Sequence, residues 1–144
     1  MSEKNIFEKI IDGELPCIKI YEDDHVLAFL DIHPVNPGHT LVIPKHSSTD
    51  IFDMPVEVYT RMHQTVHALA PQIMRAVQAD GINIIMNNKA PAGQVVFHPH
   101  VHIVPRFIGD ELQHWGGNEY ASPNESATIA QQIINEINGA TPMQ

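Results

Sequence analysis

Three histidines at strict alternation, His98, His100 and His102, stand in the run Phe97-His98-Pro99-His100-Val101-His102-Ile103-Val104. Side chains alternate faces along a strand, so these three imidazoles are expected on one side, with Phe97, Pro99, Val101 and Ile103 on the other. At the usual rise per residue they form a line about 13 Å long. Pro99 cannot donate to a ladder, which suggests an edge or a bulge there. Such a line suits two chemistries. Imidazoles can attack and shuttle protons, or they can hold zinc, with His39 offering a third ligand. The spacing alone leaves these two level.

The preceding loop, Asn87-Asn88-Lys89-Ala90-Pro91-Ala92-Gly93-Gln94, shifts the balance. Its amides and backbone N–H groups suit phosphate oxygens and make poor zinc ligands. Gly93 allows a ligand to approach the backbone closely. A phosphoryl centre beside a neutral imidazole is then attractive, because imidazole attacks without first shedding a proton.

The elements that must carry these groups are legible in outline. Asn5, Glu8 and Gly13 mark a short helix with a capping box and a stop. Ile18 to Tyr21, Val26 to Asp31 and Thr40 to Ile43 read as strands, with a Pro/Gly-punctuated loop from His33 to Gly38. Val58, Met62, Val66, Leu69, Ile73 and Val77 recur at helical spacing after Pro55, with Pro71 as an expected kink and Asp80-Gly81 as the end. Ile82 to Met86 is a fourth strand, and Gln94 to Arg106 is predicted to carry the fifth. Ser122, Pro123 and Glu125 open a last helix with Ile129, Ile133, Ile134 and Ile137, closed by Gly139. Strands around one long helix, joined by short turns, favour an α+β domain with a mostly antiparallel five-stranded sheet and short terminal helices. The expectation is a single domain over 1–144, with a core of about 6–106 and a C-terminal segment 107–144.

Composition sets the limits. The chain has 144 residues, a formal net charge of −9, one cysteine and ten histidines. One cysteine gives no disulfide and no C-x-x-C pair. Acidic residues outnumber basic ones by 17 to 8, which opposes a nucleic-acid footprint. No apolar run approaches the length of a membrane span, and Met1 to Asn5 has no basic region leading into an apolar one. A cytoplasmic protein without membrane or nucleic-acid partners is expected.

The run Gln94-Val95-Val96-Phe97-His98-Pro99-His100-Val101-His102-Ile103-Val104-Pro105-Arg106 resembles the signature of the histidine triad (HIT) family of nucleotide hydrolases and transferases. So do Ile6-Phe7-Glu8-Lys9-Ile10-Ile11, Glu22-Asp23-Asp24, Ala28-Phe29-Leu30-Asp31-Ile32 and Pro37-Gly38-His39-Thr40-Leu41-Val42-Ile43-Pro44, in the same order. The resemblance, from Ile6 to Arg106, implies a HIT-like fold and roles for particular residues. His100 matches the nucleophile that attacks the α-phosphorus and carries the nucleotidyl group. His102 matches the triad member on the phosphate and leaving-group side. His98 matches the one that orients the nucleophile, and His39 matches an additional histidine nearby. Asn87, Gly93 and Gln94 match phosphate-contacting positions. Asp31 matches the acid that receives the ribose hydroxyls, and Ile10, Phe29 and Ile32 match apolar walls around the base.

Two positions depart from that pattern. Val95 stands where the Hint branch has a serine that touches phosphate, and Pro99 replaces an aliphatic residue. The implied activity is nucleotidyl hydrolysis or transfer at the α-phosphate of purine nucleotide conjugates such as phosphoramidates, with no metal or other cofactor, by a homodimer. A dinucleoside polyphosphate hydrolase, a zinc-dependent hydrolase and a non-catalytic nucleotide-binding module are the alternatives. His63 and His67, one helical turn apart, lack the glutamate of a zinc-protease motif and read as a surface or partly buried pair. His25, His33 and His46 read as ordinary polar residues.

Overall fold

The computed structural model describes residues 3–139; the reading of Met1 and Ser2 lies outside them. Asn5 caps α1 (Ile6–Ile11): its side chain accepts from the Glu8 N–H at 2.8 Å, and the Glu8 carboxylate accepts from the Asn5 N–H at 3.2 Å. This reciprocal cap fixes a helix too short to be stable alone. Phe7 is the residue it buries.

Then follow β1 (Lys19–Glu22), β2 (Val26–Leu30), β3 (Thr40–Pro44), α2 (Val56–Ala76), β4 (Gly81–Met86), a 3-10 turn (Ala90–Ala92), β5 (Val101–Arg106) and α3 (Pro123–Gly139). The strands form one open sheet in the order β1-β2-β3-β5-β4, with every pairing antiparallel. The α+β expectation holds, although α3 spans 17 residues and only α1 of the terminal helices is short. The chain divides into two compact units, with the boundary between Glu111 and Leu112. The second contains α3, along which Ile133, Ile134 and Ile137 are exposed. No helix among the described residues is long and apolar enough to cross a membrane.

Both faces of the sheet are covered, which explains why β2 and β3 are apolar throughout rather than alternating. Met62, Val66, Leu69 and Ile73 of α2 pack with Val26, Ala28, Val42, Val101 and Ile103 on one face. Phe7 packs with Leu27, Phe29, Leu41 and Ile43 on the other. His102 pairs with Leu41 across the β3–β5 ladder, so its ring belongs to the α1 face.

Two boundaries and one cap differ from the sequence reading. The long helix runs through Pro71 but stops at Ala76, not at Asp80-Gly81. Gln78 adopts φ +56°, and the Ala79 N–H returns to the Met74 carbonyl at 2.9 Å, a helix-ending turn made without glycine. At α3, Ser122 Oγ accepts the Glu125 N–H at 3.2 Å as a cap should, but the Glu125 carboxylate accepts from the Ala121 N–H at 2.8 Å, so the reciprocal half of the capping box falls one residue early. The fifth strand begins at Val101, not Gln94. Pro99 has no N–H to give, and the His98 carbonyl is taken by the His100 ring instead of a neighbouring strand.

Candidate active site

Only His102 of the three alternating histidines lies within β5; His98 and His100 sit on the irregular approach to it. They nevertheless share the α1 face. Phe7 stands edge-on to both, with ring centroids 6.2 Å from His98 and 5.0 Å from His100. His100 and His102 are 5.0 Å apart, and His102 and His39 are 5.2 Å apart. Pro99, Val101 and Ile103 turn into the core as expected, whereas Phe97 is half exposed.

The hydrogen-bond partners assign the proton on each ring. A carbonyl only accepts, so His98 donates from Nε2 to the Pro44 oxygen at 2.7 Å. Its Nδ1 is then bare, and it is buried without a partner among the described residues. His100 donates from Nδ1 to the His98 carbonyl at 2.7 Å, which leaves its Nε2 with a lone pair. The Val35 N–H donates to His39 Nδ1 at 3.0 Å, so the His39 proton is on Nε2. That nitrogen lies 3.0 Å from His102 Nδ1 and donates to it, leaving His102 with an outward Nε2–H. The Asp31 carboxylate, 3.5 Å from His39 Nε2, favours the same arrangement. His100 thus presents a bare nitrogen and His102 an N–H donor on adjacent rings.

Burial keeps these rings neutral. It pushes His98, His100 and His39 below the ordinary imidazole range, opposed in His98 and His100 by their carbonyl partners and in His39 by Asp31. His102 is pushed furthest, to about 4, by burial and then by the neighbouring His100 and His39.

Asp31, His39 and His102 bring three potential ligand atoms within 4.8 Å of one another. The chemistry of the set does not suit a cation. Neutral imidazole binding metal through Nε2 must carry its proton on Nδ1 and find an acceptor for it. His39 Nδ1 faces the Val35 N–H, a donor. His98 and His100, the ligands that spacing offered with His39, do not join this group among the described residues.

The remaining sequence-predicted residues divide. Asn87 is partly buried, and a Cβ on Gly93 would lie 3.5 Å from its Nδ2, so these two share one loop surface. Gly93 holds φ +99°, which a side chain would strain. The Gln94 side chain is buried and fully occupied: it accepts from the Lys89 N–H and donates to the Thr49 and Val96 carbonyls. It shapes the loop and has no free group for a phosphate. Asp31 uses Oδ1 to accept the His33 N–H at 2.8 Å. Phe29 is buried in the core against Phe7, Ile10 packs partly on the same cluster, and Ile32 is 77% exposed.

Sequence reasoning missed Phe7, the Val35 amide and the Pro44 carbonyl. The capping box locating α1 was the available signal for Phe7. Backbone groups leave no residue-type signal.

An α+β sheet thus presents a buried imidazole with a bare nitrogen beside an N–H donor on the next ring. Residues 12–109 match the HIT domain, and the chain belongs to the HIT family of nucleotide-binding hydrolases. Protein hit of Bacillus subtilis is 45% identical over 106 residues, 74% of this chain and 73% of that protein. Adenylylsulfatase HINT3 of Arabidopsis thaliana is 45% identical over 101 residues, 70% of this chain; the match spans about half of that relative, 51%. The solved structure of SMU.412c from Streptococcus mutans UA159 superposes with a TM-score of 0.89 at 39% identity, covering 95% of this chain and 87% of that one.

Proposed function

We propose that the protein hydrolyses purine nucleotide conjugates, nucleoside phosphoramidates or related compounds, through a nucleotidyl group carried on His100. The observation that carries this reading is the 2.7 Å bond from His100 Nδ1 to the His98 carbonyl. It leaves Nε2 bare for attack on the α-phosphorus, and the same carbonyl stabilises the ring as it becomes cationic. The bond from Nε2 to phosphorus forms as the bond to the leaving group breaks. His102 Nε2–H, on a neutral ring, hydrogen-bonds the departing atom while that atom takes a proton from water. Attack by the hydroxyl of that water then breaks the phosphorus–nitrogen bond and restores the neutral imidazole. Asp31 receives the ribose hydroxyls through Oδ2, and Asn87 with the Gly93 backbone contacts the phosphate. Ile10, Phe29 and Ile32 border the base.

The working unit in this reading is a cytoplasmic homodimer. The open edge of β4, Gly81–Met86, carries no charged residue and pairs only with β5, which supports strand pairing with a second copy. A sedimentation mass of one chain would remove the dimer from this reading.

A panel of nucleoside phosphoramidates, dinucleoside polyphosphates, nucleotide sugars and adenylyl sulfate, the last suggested by the HINT3 relative, tests the activity. Turnover that survives chelator and is lost in His100→Ala is expected. Chelator-sensitive turnover would favour a zinc hydrolase, and binding without single-turnover product a non-catalytic module.

A further inference from the structure

The hydrogen bond between His39 and His102 cannot itself choose where the protons sit. With the proton on His39 Nε2, that ring donates and His102 keeps an outward Nε2–H. With both protons moved, His102 donates from Nδ1, and its outward Nε2 becomes a lone pair facing the anionic substrate. Both arrangements satisfy the 3.0 Å contact. What separates them is the Val35 N–H on His39 Nδ1, helped by Asp31. A ring nitrogen's protonation follows from the bond the other nitrogen makes.

Val35 has an exposed side chain and belongs to a loop that must keep its amide turned inward. Asn36, the next residue, anchors that loop. Its amide donates to the Pro105 carbonyl and to Asp110 Oδ2, both at 2.9 Å, and its own carbonyl accepts the His39 N–H at 3.1 Å. Asp110 is itself fixed by Arg106, through Nε at 3.1 Å and Nη2 at 2.7 Å, and by the Phe107 N–H at 2.9 Å. Arg106 is therefore the main reason that the Asp110 carboxyl lies near 2, well below its usual range. Pro105 and Arg106 end β5, the strand that carries His102. The amide that selects the tautomer and the ring whose tautomer is selected are thus tied to one strand. Pro105 is tolerated there because the ladder with β3 ends at Ile103 and its carbonyl turns to Asn36.

We propose that Asn36 and Asp110 are positioning residues that hold the Val35 amide on His39 and thereby keep the outward nitrogen of His102 protonated. This rests on the reading of His102 as the donor to the leaving group.

The test is a long-range proton–nitrogen NMR correlation on the full chain, which distinguishes bare from protonated ring nitrogens, recorded well above the imidazole range. The unaltered protein is expected to show bare Nδ1 and protonated Nε2 on both His39 and His102. In Asn36→Ala and in Asp110→Asn, both rings become tautomeric mixtures, and kcat falls roughly tenfold, the worth of one hydrogen bond, with KM little changed. Asn36→Ser, which keeps a short donor, retains the original pattern more fully than Asn36→Ala. Unchanged ring nitrogens in both Asn36→Ala and Asp110→Asn would overturn the proposal, whatever happens to melting temperature. Should Asp110→Asn not fold, Asn36→Ala alone decides. A shifted tautomer with unchanged kcat supports the positioning and refutes the donor role of His102.

Discussion

The ring of Phe7 stands edge-on to His100, 5.0 Å between centroids and 77° between planes, and it makes a similar contact with His98. A six-residue helix thus supplies apolar cover for the His100 ring. Removing that cover lets water reach His100, and hydration favours the charged ring. Phe7→Ala is expected to cost about 3–5 kcal/mol of stability. It should also move the acid limb of kcat/KM to higher pH, since His100 then keeps its proton further up the scale. Phe7→Leu, with apolar cover retained, should leave the limb close to its original place. A pH–rate profile of the two variants checks both statements.

Acid should unfold the protein through its histidines before its carboxylates. His102 titrates near 4 in the folded chain and near the ordinary imidazole value once unfolded, and His98, His100 and His39 are lowered as well. Between those values the unfolded chain binds protons that the folded one refuses. Stability therefore rises with pH across this window and is lost as pH falls from about 6.5 toward 4. Thermal melts should decline steeply there. The decline should be shallower in a His102→Phe chain, which has one fewer buried ring to protonate.

Gln94→Ala removes three hydrogen bonds that join the 87–94 loop to the turn at Thr49. Two carbonyls and one N–H in part-buried bonds lose partners, so a loss of about 1–3 kcal/mol is expected. The variant should lose affinity for nucleotide through loop disorder. Hydrogen exchange at Lys89 and Val96 should accelerate even without ligand, which a direct phosphate contact would not require.

Lys89 holds φ +78° and ψ 151°, a conformation that a side chain disfavours by about 1–3 kcal/mol. Its ammonium lies 2.8 Å from the buried Asp50 carboxylate and 5.3 Å from the Phe52 ring centroid. Asp50 retains its charge chiefly through that contact, its carboxyl held below the usual range. In an Asp50→Asn chain the ion pair is gone and the strain stays, set only against the exposed Phe52 contact, so Lys89→Gly should raise the melting temperature. In the original chain the same substitution should raise it less, or lower it. Melting curves of the four chains form the cycle that separates pairing from strain.

The parts whose causes are local are legible in the residues. The capping box at Asn5 and Glu8, the apolar stripe of α2 and the runs of β2 and β3 follow from residue type at a fixed period. The helical stop at Ala76 and the late start of β5 are not legible in that way, because Gln78 adopts a left-handed conformation and the His98 carbonyl is diverted to a ring. Alternation brought out His98, His100 and His102, but it gave them equal standing. The family resemblance implies separate roles for them, and the folded chain supplies the contacts that make the three rings physically different. His98 is tied to Pro44, His100 is left with a bare nitrogen, and His102 is made a donor by His39 and Val35. An imidazole's proton goes where its other nitrogen's partner allows, and the Pro44 carbonyl on His98 and the His39 ring on His102 are brought in from far along the chain, while the nearby His98 carbonyl is free for His100 because the backbone there is not in the ladder.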